Sequence, residues 1–372
     1  MRALEWTREQ RELGAAVRSV LARHRGTRAW APLAGQVGVA ALAVPEEYGG
    51  LGCGAVELGV VAAELGRVLS PVPFLGSAVL TVGALLAAGD PKACARLLPG
   101  LAEGSAVGAL AWAEGGSWEP SALAARARRD PAGGWLLNGA KEYVLAGLGG
   151  ELPSVVLVFA RAAGSGRRGA GGVLPLSLFR LTAPPAAWRV RSTMDLTRPL
   201  AELALDRTPA ELVGVEGDGE RILARVRDLG VTALAAEQAG AAARALQVTV
   251  AHAKQRFQFG RPIGSFQAVK HRLADLYAAV ENGRTLALAA ADAHATDGGG
   301  APGLAAAAGS ACGEAYSLVA GEMIQLHGGT GITWEHESHL HFKRAHGAAR
   351  LFGGPAAHRE RLAARLGLAG AR

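Results

Sequence analysis

The hydrophobic period of this chain changes twice, and the two changes restrict how it can fold. Apolar residues recur at helical spacing over Leu4 to Leu21, Ala55 to Leu69, Leu75 to Ala88 and Pro91 to Leu98. Near Gly104 the spacing shortens. Val107 to Ala113, Trp135 to Leu137, Val155 to Phe159, Phe179 to Leu181 and Ala201 to Leu205 are brief apolar runs cut by Gly, Pro and charged turns, the pattern of antiparallel strands. From about Gly219 the helical period returns, in patterns over Ile222 to Phe257, Phe266 to His294 and Pro302 to His327. A helix stripe and a sheet face each need an apolar cover, so this order predicts an α+β chain. Its parts are an N-terminal helical domain over 1–103, a small antiparallel β domain over 104–215 and a C-terminal helical bundle over 216–372. Thr7 is the expected N-cap of the first helix, with Glu9 and Glu12 near its start. Pro45-Glu46-Glu47-Tyr48-Gly49-Gly50-Leu51-Gly52 reads as a loop, because Pro and three Gly cannot continue a helix.

With 372 residues the chain exceeds a single core, and two or three packed subdomains are expected. Cys53, Cys94 and Cys312 lie far apart without a CxxC pair, which excludes a disulfide framework or zinc knuckle and fits a reducing, cytoplasmic setting. The first residues interleave charge with apolar side chains, so no signal peptide is expected. No uninterrupted apolar run reaches membrane-spanning length. A net charge of +7 suits an anionic partner, but no dense basic block with interleaved aromatics is present, so nucleic acid is not expected.

Several local signals fail their context. Gly164-Ser165-Gly166-Arg167-Arg168-Gly169 matches GxGxxG, yet no helix opens after it to face a pyrophosphate, and it reads as a solvated loop. His336, His339, His341 and His346 cluster without an HExxH, so a polar surface or interface is the expected role rather than metal binding. No GxSxG occurs, and Cys312 has no neighbouring His to activate it.

Two segments carry more chemistry. In Arg256-Phe257-Gln258-Phe259-Gly260-Arg261-Pro262-Ile263-Gly264-Ser265-Phe266-Gln267, a long helix ends in Arg, an aromatic and Gly, and Gln opens the next helix. Arg can grip a diphosphate bidentately, an aromatic can support a planar ring and Gln can bond an adenine or ribose edge. In Gln325-Leu326-His327-Gly328-Gly329-Thr330-Gly331, the glycines let backbone N–H groups approach an anion.

Together these segments resemble the two FAD-diphosphate signatures of acyl-CoA dehydrogenases, Arg-x-x-Phe-Gly with a helix-opening Gln and Gln-x-x-Gly-Gly-x-Gly. Weaker similarity extends through Pro45 to Gly50 and Leu137-Asn138-Gly139-Ala140-Lys141-Glu142-Tyr143-Val144. The resemblance implies an N-terminal helical domain, a β-barrel and a four-helix bundle. It also implies FAD, an acyl-CoA substrate, and a homo-oligomer or a heterotetramer with a homologous subunit, in which one subunit holds the ADP part of its neighbour's FAD. An electron-transfer flavoprotein or similar acceptor would follow. Carried over, Arg256, Phe259, Gln267, Gln325, Gly328 and Gly329 would be the flavin-diphosphate and adenosine contacts.

In this family a Glu removes the α-proton of the thioester while hydride leaves for the flavin. The two positions where members carry that Glu align here with Gly230 and with Gly353 of Leu351-Phe352-Gly353-Gly354-Pro355. Hydroxyl-bearing ring contacts are also replaced, by Ala113-Glu114-Gly115-Gly116-Ser117-Trp118-Glu119-Pro120 and by Tyr143-Val144-Leu145. Glu237, two turns after Gly230 on the same helix face, is the candidate substitute base. The expected activity is α,β-dehydrogenation of an acyl-CoA with a partner subunit supplying the base. The alternatives are a stabilising or regulatory partner without turnover, or a non-redox activity on the same scaffold.

Overall fold

The computed structural model describes residues 5–162, 174–296 and 299–368. Helix α1 (Arg8–Arg23) starts where its cap predicts. Thr7 Oγ1 accepts the Gln10 N–H at 3.3 Å and Gln10 Oε1 accepts the Thr7 N–H at 2.9 Å, so two orphan donors are satisfied reciprocally. Thr7→Ala should lower stability by about 1 kcal/mol, read from urea unfolding. A single turn, α2 (Trp30–Pro32), precedes α3 (Ala55–Arg67), α4 (Val82–Ala88) and α5 (Pro91–Glu103). The pattern over Leu75 to Ala88 is not one α-helix. Residues Phe74–Thr81 wind as a wider π-helix, and the buried Thr81 hydroxyl donates at 2.8 Å to the Gly76 carbonyl five residues back.

The middle of the chain holds β1 (Gly108–Ala111), β2 (Arg126–Arg129), β3 (Trp135–Leu145), β4 (Val155–Ala162), β5 (Leu176–Leu181), β6 (Ala187–Val190) and β7 (Leu200–Val213). The pairings β4–β2, β2–β3, β3–β7, β7–β5 and β5–β4 close a ring, with β1 added to β4 and β6 to β7. The expectation of a purely antiparallel sheet is corrected here, because β1 and β2 both run parallel to β4. Strands β2 and β6 gave no apolar signal. Of Arg126–Arg129 only Ala127 is buried, and β6 buries none of its residues. The barrel interior is filled by small and aromatic side chains such as Ala109, Ala127, Leu137, Val158, Phe179 and Leu203.

The C-terminal part is built on α6 (Gly219–Gln255), α7 (Gln267–Ala295) and α8 (Ala301–His327), followed by α9 (Ser338–Ala348) and α10 (Pro355–Arg365). Strands β8 (Phe257–Gln258) and β9 (Arg261–Pro262) form a two-residue ladder between α6 and α7. Helices α3 and α6 cross with their backbones nearly touching. A Cβ on Gly66 would lie 2.1 Å from the Glu237 carbonyl oxygen, and one on Gly240 would lie 2.0 Å from that of Ala63. Among the described residues, no helix is long and apolar enough to cross a membrane.

Candidate functional site

The structure brings the two glycine- and arginine-bearing segments to one surface. Helix α6 ends as the Arg256 N–H bonds the His252 carbonyl at 2.8 Å, and the β8–β9 hairpin then turns at Phe259 (φ +52°) and Gly260 (φ +77°). Helix α8 ends at His327, and Gly328 (φ +59°) enters a tight turn to Ile332. The His252 and His327 rings, one from each helix end, have centroids 4.2 Å apart. Arg256, Gln267 and Gln325 are exposed, and no side-chain hydrogen bond occupies them among the described residues. Phe259 is 92% exposed. A Cβ at Gly328 or Gly329 would meet nothing within 4 Å, so the space over that turn is open to an incoming group. Free guanidinium and amide donors beside an open glycine turn fit a diphosphate and an adenosine edge.

The ring-side positions of the family resemblance also converge. Gly115, Gly116, Ser117, Trp118 and Tyr143 share a cavity of about 590 Å³ with Gly353 and Gly354. Its hydroxyls are those of Ser117, Tyr143 and Thr193, and among the described residues only that of Thr193 donates into the chain. Thr193 donates to the Asp195 carbonyl at 2.9 Å, and Ser117 Oγ accepts the Glu119 N–H at 3.2 Å. Behind the cavity stands an aromatic cluster. Trp112 stacks on Phe352 at 5.4 Å, Trp118 meets both edge-on at 5.0 and 5.2 Å, and Tyr143 stacks on Trp118 at 5.7 Å. Gly230 lies against this wall. A Cβ there would lie 2.6 Å from Leu80 Cδ2 and 3.5 Å from Phe352 Cε2. A side chain at Gly230 would have to push the end of the Leu80 side chain aside, and Gly353 offers no side chain from the opposite loop. The ADP half of FAD fits the residues present. The ring-side cavity has room, with the Ser117 and Tyr143 hydroxyls on its lining.

Glu237 is buried, and its surroundings argue against the role of base. Its Oε1 accepts Arg344 Nη2 at 3.0 Å and Nε at 3.2 Å, and also accepts Arg198 Nη2. Arg344 Nη1 donates to Thr197 Oγ1 at 2.8 Å and lies 3.6 Å from Asp195 Oδ2, while Nη2 reaches the Ser70 carbonyl at 3.3 Å. Burial pushes the Glu237 carboxyl upward, but Arg198 and Arg344 outweigh it and hold the group below the ordinary carboxylate range. A carboxylate held this way is a weak proton acceptor. The void beside it is about 30 Å³, enough for a water and far too small for a thioester. It is the centre of a buried charged network. The network joins α6 and α9 to the loop before β7 and to the segment after α3.

Arg198 and Asp195, and the pairing of Arg344 with Glu237, were not found from sequence. Arg198 and Arg344 stand 39 and 107 residues from Glu237, and no local pattern reports such a pairing. The C-terminal histidines are each engaged. His341 Nδ1 lies 3.0 Å from the Tyr316 hydroxyl, His339 Nε2 lies 3.2 Å from the Trp334 carbonyl, and His346 Nδ1 lies 2.9 Å from that of Phe342. Burial pulls the His341 imidazole down to about 4, so it is neutral at pH 7. No cluster of metal-ligating side chains occurs among the described residues. The GxGxxG match at 164–169 lies outside them.

Family models for the acyl-CoA dehydrogenase N-terminal domain and C-terminal domain match residues 7–105 and 218–367. The chain is 42% identical over 343 residues to acyl-CoA dehydrogenase IpdE2 of Mycobacterium tuberculosis (strain ATCC 25618 / H37Rv), covering 92% of this chain and 88% of that protein. The ChsE4–ChsE5 complex of Mycobacterium tuberculosis superposes with a TM-score of 0.85 at 28% identity, covering 99% of this chain and 100% of the other. A variant of the Tcur3481–Tcur3483 steroid acyl-CoA dehydrogenase gives 0.81 at 30% identity, over 96% and 98%. With its helical, barrel and helical parts in family order, the chain belongs to the acyl-CoA dehydrogenase family.

Proposed function

We propose that this chain is a subunit of an FAD-dependent acyl-CoA dehydrogenase that introduces an α,β double bond, and that a homologous partner supplies the base. One observation carries the reading: both base positions, Gly230 and Gly353, are glycine, so neither offers a carboxylate. The outward-facing Arg256, Gln267, Gln325 and Gly328–Gly329 suit a chain that completes its neighbour's cofactor site. Similarity to the ChsE4–ChsE5 complex supports an assembly of two different chains. Similarity to a steroid acyl-CoA dehydrogenase favours a bulky acyl group.

In the assembly FAD would accept the hydride, and the electrons would pass on to an electron-transfer flavoprotein or similar acceptor. This chain's residues bind and orient. Arg256 and the Gly328–Gly329 turn neutralise and seat the diphosphate, and Gln267 and Gln325 fix the adenosine edge. The Trp112–Trp118–Phe352 cluster gives the ring-side cavity an apolar wall. The chain purified alone should show little flavin absorbance near its visible band, even with added FAD, and no bleaching by acyl-CoA. Co-expression with a homologue bearing Glu at either base position should yield a yellow complex that acyl-CoA bleaches. A yellow single chain that bleaches with acyl-CoA would sink the paired reading.

A further inference from the structure

His252, His327 and His336 come from three separate stretches of chain, yet their rings pack in one tilted stack, with interplanar angles of 31° and 50°. Ring centroids are 4.2 Å apart for His252–His327 and 4.5 Å for His327–His336. His327, in the middle, is buried. Its Nδ1 lies 2.7 Å from the Met323 carbonyl, which can only accept, so Nδ1 carries the proton and Nε2 is left as a buried lone pair without a partner. His336 has the opposite tautomer, because its Nδ1 accepts the Ser338 N–H at 3.1 Å.

The stack lies where the two anion-seating segments meet. His252 is one helical turn before Arg256, and His327 directly precedes Gly328. Other titratable groups around it are Arg244, Lys254 and Arg256 at the α6 end, Glu335 and Glu337 beside His336, and His339 and His341 on α9. Arg244 pairs with Glu337 at 3.3 Å. Burial, then His336 and Arg256, holds His252 below the ordinary imidazole range. Burial likewise lowers His327, with the Met323 carbonyl opposing and the two neighbouring rings reinforcing. Burial and the like charge of Arg256 beside His252 disfavour a proton on His252 and His327 in the free chain. A diphosphate on Arg256 and the glycine turn supplies the negative charge the stack lacks.

We propose that the His252–His327–His336 stack is a proton-coupled seat for a diphosphate diester: anion binding at the two segments draws one proton onto the stack. The inference rests on the reading of those segments as the ADP seat. The sign follows from linkage. The imidazole value is low in the free chain and raised in the complex, so affinity is flat above the bound value. As pH falls below that value, affinity tightens by about tenfold per unit until the free value is reached.

ADP-ribose is the suitable probe, because ADP itself has a terminal phosphate that titrates near about pH 6. Calorimetric titration of ADP-ribose into the full chain, in buffers of differing ionisation heat, should show uptake of about one proton near pH 6.5–7 and none at about pH 8.5. His327→Gln should leave less than about a twofold affinity change over the same range. Imidazole NMR titration of the unsubstituted chain should show the stack's titration moving upward when ADP-ribose is bound. Binding without proton uptake, an unmoved imidazole titration, or uptake that persists in His327→Gln would overturn the inference alone. No binding at any pH would overturn the ADP seat and the inference together.

Discussion

Glu237→Gln is expected to lower the unfolding free energy by about 3–5 kcal/mol. The substitution keeps the shape of the side chain and removes its charge. Arg198 and Arg344 then remain buried with Asp195 as the nearest carboxylate, 3.6 Å from Arg344. Leaving a buried charge uncompensated costs more than the pair itself contributes, because desolvation has already been incurred on folding. Arg344→Met should be destabilising for the same reason. Glu237→Leu combined with Arg344→Met should recover part of the loss, which a double-mutant cycle in urea would read as a coupling energy. The pH dependence has a definite sign. Because the folded Glu237 carboxyl is held below its ordinary range, its stabilisation is present above the unfolded value of about 4.3. It is lost as pH falls through the lower folded value. Unfolding curves of the unsubstituted chain and Glu237→Gln should therefore converge as acid protonates the carboxylate. Full stability of Glu237→Gln, with turnover lost in the partnered complex, would restore the case for Glu237 as base.

Gly230→Glu puts a carboxylate back at a family base position, and it should disrupt the chain rather than activate it. The new Cβ would lie 2.6 Å from Leu80 Cδ2, so the end of the Leu80 side chain must shift, while the Phe352 ring at 3.5 Å bounds the side chain at contact distance. Overpacking of this kind costs about 1–3 kcal/mol, and an unpaired carboxylate among Trp112, Phe352 and Leu80 adds further desolvation. The expected result is a loss of about 3 kcal/mol or more, an upward-shifted titration of the introduced carboxylate, and no acyl-CoA turnover by the chain alone. Adding Leu80→Ala should relieve the overpacking and return part of the stability. A fully stable Gly230→Glu chain that turns over acyl-CoA would show that the wall yields to substrate.

The two cases separate what is local from what is not. Helices α1, α3, α6, α7 and α8 were legible because each is a long apolar-rich segment without Pro beyond its first turn, and α1 also has a cap within four residues of its start. The Arg256 and Gly328–Gly329 segments were legible for a related reason. Their chemistry depends on backbone turns and side chains contiguous in sequence. Strands β2 and β6 were not legible, since a barrel wall with one or no buried residue leaves no alternation to read. The parallel pairing of β4 with β1 and β2 was hidden too, because register between distant strands has no local signature.

Gly230 and Gly353 could be seen in the sequence as missing carboxylates, but not the aromatic cluster that stands beside them. Trp112, Trp118, Tyr143 and Phe352 come from separate parts of the chain and meet only once the barrel docks on α6. Glu237 shows the division most plainly. Its helix face was set by α-helical spacing alone, which made it a candidate base. Its role was decided by Arg198 and Arg344, 39 and 107 residues away, because the electrostatic state of a buried carboxylate depends on which charges folding brings within hydrogen-bond reach.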